Sequence, residues 1–153
     1  MPLRDRLSAA LKDAMKAREA ERTSTLRLIN AAIKDREIAS RGDGASDDGV
    51  GDAEIMAILG KMVKQRQESA RMYEEGGRLE LAEKELAEIK VIEEYLPRQL
   101  TPDEVAGAIS AAIAETGAAS IRDMGRVMAA LKARHTGQMD FGAVGPMVKD
   151  RLV

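Results

Sequence analysis

The chain has no cysteine and no tryptophan, one histidine, two tyrosines and one phenylalanine. Without cysteine it forms no disulfide, presents no thiolate nucleophile and offers no sulfur ligand to a metal. With so few aromatic faces it has little on which unpaired bases could stack. No stretch approaches the ~18 consecutive apolar residues of a membrane-spanning helix. The first residues, Met1-Pro2-Leu3-Arg4-Asp5-Arg6, are charged at once and lack the apolar run of a signal peptide. These absences lead us to expect a soluble, cytoplasmic protein with no membrane partner. The charge is nearly balanced, 24 basic against 26 acidic residues, net −2, so no global field drives the molecule onto nucleic acid or anionic lipid.

What is present is helical. The 153 residues are 44% hydrophobic and 33% charged. The apolar residues are largely Leu, Ile, Met and Ala, which suit helix-on-helix packing. No sustained alternation marks a strand. Leu3, Leu7, Leu11 and Met15 step by one helical turn and predict a first helix to about Arg18. Glu19-Ala20-Glu21-Arg22 breaks the register, with Thr23 or Ser24 as the next cap. Leu26, Ile29, Ile33 and Ile38 then mark a second helix ending near Ser40. Residues 41–51, rich in Gly and Asp, read as an exposed loop. Ile55, Leu59, Met62, Ala70 and Tyr73 give a third helix, starting at Gly51 or Asp52 and stopped by Gly76-Gly77. Ala82, Leu86, Ile89 and Ile92 give a fourth, from about Arg78 to Leu96, whose Glu80, Lys84, Glu88, Lys90 and Glu94 form spaced opposite charges on a solvated face.

The organising stretch is Glu88 to Glu104. Pro97 stops the fourth helix, and Thr101-Pro102-Asp103-Glu104 starts the fifth with a cap, a proline at its first position and a closing glutamate. Val105, Ile109, Ala112 and Ile113 line that helix, which Thr116-Gly117 closes. Ser120 caps a sixth with Met124, Val127, Met128 and Leu131 inside and His135 at its end; Gly125 is read as permitting close helix approach. Asp140 opens the last helix, which Pro146 should bend or delay. The expected fold class is therefore all-α: residues 1–96 as an N-terminal four-helix domain with a long hairpin, 97–100 as a short joint, and 101–153 as a small three-helix C-terminal domain.

Thr23-Ser24-Thr25-Leu26-Arg27-Leu28-Ile29-Asn30-Ala31-Ala32-Ile33-Lys34, Lys64-Gln65-Arg66-Gln67-Glu68-Ser69, Ala82-Glu83-Lys84-Glu85, Glu93-Glu94-Tyr95-Leu96-Pro97-Arg98-Gln99-Leu100 and Met124-Gly125-Arg126-Val127-Met128 follow one another in family order. Together they resemble the GatB/YqeY family across essentially the whole chain. The resemblance implies a stand-alone, YqeY-like bacterial protein akin to the C-terminal tail of the B subunit of the tRNA-dependent amidotransferase. That tail is a tRNA-contacting appendage, with the catalytic centres elsewhere. The 42–51 loop is longer and more acidic than the resemblance leads one to expect, so no binding role is assigned to it.

The chemistry of the side chains agrees with an appendage. Releasing ammonia from glutamine needs a Cys, or a Ser held by Lys in a Gly/Ser-rich loop. The chain has no Cys, and Ser24, Ser69 and Ser120 fall in helical or capping contexts. Carbon–nitrogen ligase activity with glutamine as donor thus follows from kinship alone, and no catalytic residue is assigned. His135 has no evident partner for acid–base or metal work. Asp43 and Glu54 have the first-to-twelfth spacing of a calcium loop, but Ala45 and Asp48 stand where a ligand and a glycine are needed. No metal and no cofactor is expected.

The remaining candidates are cations. Arg22 and Arg27, with Lys12, Lys16, Arg18 and Lys34 near them, lie on the first two helices. Lys61, Lys64 and Arg66 follow on the third, where no acid interrupts the run from Lys61 to Gln67. Arg122, Arg126, Lys132 and Arg134 lie in the last part. Such clusters suffice for phosphate contacts, and the dearth of aromatics favours folded RNA read by shape. The expected partner is tRNA or a tRNA-linked protein complex, not DNA; the bland alternative is an ordinary solvated helix face. The rival reading is a protein–protein interaction module or accessory subunit whose hairpin offers an apolar groove.

Overall fold

The computed structural model describes residues 2–42 and 50–153, and among them every regular element is helical. The chain divides into two compact units, Met1–Leu96 and Pro97–Val153. The calcium-loop aspartates Asp43, Asp47 and Asp48, and the acidic stretch between residues 43 and 49, lie outside the described residues.

The first unit holds α1 (Leu3–Lys16), α2 (Ala20–Gly42), α3 (Asp52–Glu75) and α4 (Leu79–Glu93). The chain reverses between α1 and α2 through Arg18, which takes a positive φ of 56°. α2 therefore begins before Thr23 and Ser24, which lie inside the helix and are not caps. Met15 is 50% exposed, and Ala14 takes the buried place with Leu3 and Leu7. Steps of four residues drift about 40° each on a helix of 3.6 residues per turn, so the Leu3–Met15 row leaves the core face, while Ala14, eleven residues on from Leu3, returns to it. Ile38 and Leu86, expected inside, are exposed as well. Val50, expected in an exposed loop, is buried in the core instead, and the carboxylate of Asp52 accepts the Leu3 N–H at 3.1 Å.

α3 and α4 pack along each other as an antiparallel hairpin. Its turn needs Gly77, whose φ is +74°: the Arg78 N–H reaches the Tyr73 carbonyl and the Gly77 N–H that of Glu74. α1 and α2 cover the open end, where Leu7, Leu26, Ile29, Ile55, Leu59 and Ile92 are fully buried together. Ala70, Ala82 and Ile89 are buried but outside that core, so the closed end of the hairpin is a two-helix arm whose small alanines let the backbones approach. α4 ends at Glu93 and not at Leu96. Pro97 has no N–H for the Glu93 carbonyl, and the last turn tightens so that Leu96 supplies it.

The second unit holds α5 (Pro102–Thr116), a 3-10 turn (Ile121–Asp123), α6 (Met124–Arg134) and α7 (Phe141–Leu152). The Thr101 hydroxyl accepts the Glu104 N–H at 3.2 Å, and the Glu104 carboxylate accepts the Thr101 N–H at 3.0 Å. α5 closes at Gly117 in left-handed geometry, φ +66°. Ile109, Ala112, Val127, Leu131, Val144, Val148 and Leu152 form the core. Gly125 does not serve close packing: a methyl group there would meet open space. It lies on the exposed side of α6, and the buried glycine of this unit is Gly145, near the Met124 methyl. α7 starts directly after Asp140, so Pro146 sits inside it without delaying it. The 97–100 segment is tied into this unit, with Leu100 N–H bonded to the Gln138 carbonyl at 2.9 Å and the Gln99 side chain to that of Gly137 at 2.6 Å.

Candidate nucleic-acid interface

A cation already held by a carboxylate of the protein has less to offer a phosphate than one that is unpaired. By that criterion the candidates separate into two groups. Arg22, at the start of α2, donates to the Glu94 carboxylate at 2.5 Å and to the Tyr95 hydroxyl at 2.7 Å. Glu94 holds the Arg22 pKa above its ordinary value, and burial pushes that of Tyr95 up. Arg6 lies over the same tyrosine ring, 5.7 Å from its centre. Arg66 joins α3 to α4 by pairing with Glu88 at 2.9 Å and donating to the Met62 carbonyl. Arg126 holds Asp123 at 2.5 Å and the Thr116 carbonyl, and Arg134 pairs with Glu115. These four arginines are structural ties within their own units. Lys64, exposed on α3, has an interaction of its own.

Arg27, Lys61, Arg122 and Lys132 are exposed and have no ion pair among the described residues. Lys34 is in the same condition. It stands seven residues from Arg27, so the two share the outer face of α2, about 10 Å apart along its axis. Arg27, Lys34 and Lys61 belong to the first unit, Arg122 and Lys132 to the second.

The acids that engage the other cations escaped the local reading. Glu88 and Glu94, expected in solvated pairs along α4, reach instead to α3 and α2. Asp123–Arg126 and Glu19–Arg22, each three residues apart, are the pairs that a local spacing can show. Asp123 also accepts the backbone N–H groups of Ala119 and Ser120; with Ala119 the largest influence, then Arg126, its carboxyl is held down to about 2. Glu104 is likewise held down to about 2, chiefly by a two-pronged bond from Arg98 and then by the Thr101 N–H. His135 sits at the end of α6 with its Nδ1 3.1 Å from the Gln138 side-chain oxygen. Ser24 and Ser69 lie within α2 and α3, and Ser120 just before the 3-10 turn. Among the described residues no group of three or more His, Asp or Glu is placed to hold a metal, and no helix is long and apolar enough to cross a membrane.

A family model described as Yqey-like protein matches residues 4–152. Among curated proteins, the chain is 39% identical over 90 residues to Altered inheritance of mitochondria protein 41, mitochondrial, of Clavispora lusitaniae, covering 59% of this chain and 49% of that one. It is 39% identical to the protein of that name in Meyerozyma guilliermondii, covering 59% and 44%, and 33% identical to that of Kluyveromyces lactis, covering 58% and 45%. The chain thus spans about half the length of the curated relatives it matches. The expectation of a bacterial, cytoplasmic protein is corrected by these relatives, which are fungal and named mitochondrial.

Proposed function

The chain belongs to the YqeY-like family, and from that footing we propose that it holds folded RNA of the tRNA class, or a complex built on it, without itself catalysing a reaction. The observation that carries this reading is the set of unpaired, exposed cations: Arg27 and Lys34 on one face of α2, Lys61 on α3, and Arg122 and Lys132 in the second unit. Their counterparts Arg22, Arg66, Arg126 and Arg134 are bound to acids and act as braces. Phosphate recognition requires positive charge on rigid helices and little else, and this chain has no aromatic platform for unpaired bases. Kinship with the amidotransferase tail supports tRNA as the class of RNA. The names of the relatives support a mitochondrial setting.

Fluorescence anisotropy with bulk tRNA at two salt concentrations tests the proposal. Binding should strengthen steeply as salt falls. A dissociation constant still weaker than ~100 µM at low salt would refute it, since non-specific phosphate binding alone reaches that range. Ammonia released from glutamine by the purified chain would refute the non-catalytic half.

A further inference from the structure

A two-helix arm has one internal seam, so its other faces are left bare. At the closed end of the α3–α4 hairpin Met72, Leu79, Leu81 and Leu86 are all exposed, outside the core that α1 and α2 cover. Leu79 and Leu86, 60% and 42% exposed, stand seven residues apart on α4. Glu83 and Lys90 follow each of them by four residues. Steps of four, three and four keep Leu79, Glu83, Leu86 and Lys90 on one side of the helix.

Glu83 and Lys90 are exposed, and neither has an ion pair among the described residues. They are too far apart to neutralise each other, about 10 Å along the helix axis. Of the acids that follow Lys90, Glu94 is held by Arg22 at 2.5 Å, and Glu93 has no ion pair among the described residues. The row thus carries an unanswered acid on one side of Leu86 and an unanswered base on the other.

Such a row is complementary to itself when reversed. Two copies of α4 laid antiparallel, about a twofold axis beside Leu86, bring Glu83 of each against Lys90 of the other. Leu86 then meets Leu86 of the second copy between the two pairs, and Leu79 lies toward the outer ends. A parallel pairing would set Glu83 against Glu83 and Lys90 against Lys90, and a partner of one sign would leave one of the two charges opposed. The charge pattern selects a second copy of this chain, in one orientation.

We propose that the arm docks on the arm of a second copy through this face of α4. The contact is one helix face wide, smaller than the ~1,600 Å² of a standard interface, so the dimer is weak and forms at ~10 µM to ~1 mM. It uses none of the cations assigned to RNA, and its test does not depend on them.

Sedimentation equilibrium of the full chain at ~50 mM salt, after nuclease treatment, tests it. The mass should rise from that of one chain toward that of two across the concentration range. Glu83→Lys alone and Lys90→Glu alone should each weaken association by ~10-fold or more, because the twofold turns both attractive pairs into repulsive ones. The two single variants should associate again when mixed, and a chain carrying both changes should match the parent. Both residues are exposed and unpaired, so the fold should persist, which circular dichroism checks. The chain has no cysteine, so Leu86→Cys supplies a lone thiol beside the axis that should link two copies on mild oxidation, much faster than Leu79→Cys. A chain that stays monomeric to ~1 mM would overturn the proposal and leave the face to a different protein. Association indifferent to the charge changes, single variants that do not associate on mixing, or equal linking at Leu79 and Leu86 would overturn it too. So would a dimer seen only before nuclease treatment, which would mean that RNA holds the copies together.

Discussion

The sharpest consequence of sorting the cations concerns salt. Each phosphate neutralised contributes about 0.7–0.9 to the slope of log affinity against log salt. Arg27 and Lys34 are unpaired and share one face of α2, so Arg27→Gln with Lys34→Gln should lower that slope by about 1.4–1.8. Over a fourfold rise in salt, from about 50 to about 200 mM, the parent should therefore lose about 7- to 12-fold more affinity than the double variant. Arg66→Gln makes the contrast. Its side chain is 15% exposed and committed to that of Glu88, which is 18% exposed. Losing it should leave the slope unchanged and instead cost about 1–3 kcal/mol of stability, because a half-buried carboxylate loses its partner. Anisotropy titrations of tRNA at four salt concentrations give the slopes, and urea unfolding gives the stabilities. An α2 double variant with the parental slope, or an Arg66 variant whose slope falls as far as that of the pair, would refute the division of the cations into free and bracing.

Other expectations follow from packing, turns and charge. Ile92→Ala should cost about 2–5 kcal/mol, since Ile92 is fully buried where α4 meets the first unit's core, and urea unfolding would register it. Gly77→Ala should destabilise by about 1 kcal/mol at its positive φ, whereas Gly125→Ala, facing open space inside α6, should be neutral or stabilising by up to about 1 kcal/mol. Glu104 and Asp123 have folded-state values near 2, below their ordinary 4.5 and 3.8. Their contribution is present in full above those ordinary values and disappears as pH falls toward about 2. Thermal melts of Glu104→Gln with Asp123→Asn should therefore differ from the parent at pH 6 and converge with it by about pH 2; a constant gap would contradict the assignment.

The helices were legible because their signals are local. Thr101 and Glu104 sit three residues apart and bond reciprocally, and Gly77 is a stop wherever a helix must turn into its successor. What failed to show was set by contacts distant in sequence. Met15 continues a row of one-turn steps, yet the row drifts off the core and Ala14 replaces it. Val50 follows a run of Gly and Asp and reads as loop, but it is buried in the first unit's core. The same limit governed the candidate site. Whether Arg22 or Arg27 can meet a phosphate depends on Glu94, which lies 72 residues from Arg22 and opposes only one of them. Counting charge on a single helix could not distinguish the two.

The apolar face of α5 illustrates a different limit. Periodicity assigns α5 one apolar face, and Val105, Ile109 and Ala112 read together as core. In the folded unit that face is covered unevenly: Ile109 and Ala112 are buried, whereas Val105 is half-buried and packs against the same core from its edge. A hydrophobic stripe records that a surface is to be covered, not which element covers it. Among three helices that are all in mutual contact the stripes are used up internally. Here α5 and α7 both pack on α6, and Val105 on α5 and Met147 on α7 stay partly open to solvent beside a groove between them. The sequence pattern of a covered face and that of a partly open one are the same; the packing of the helices makes the difference.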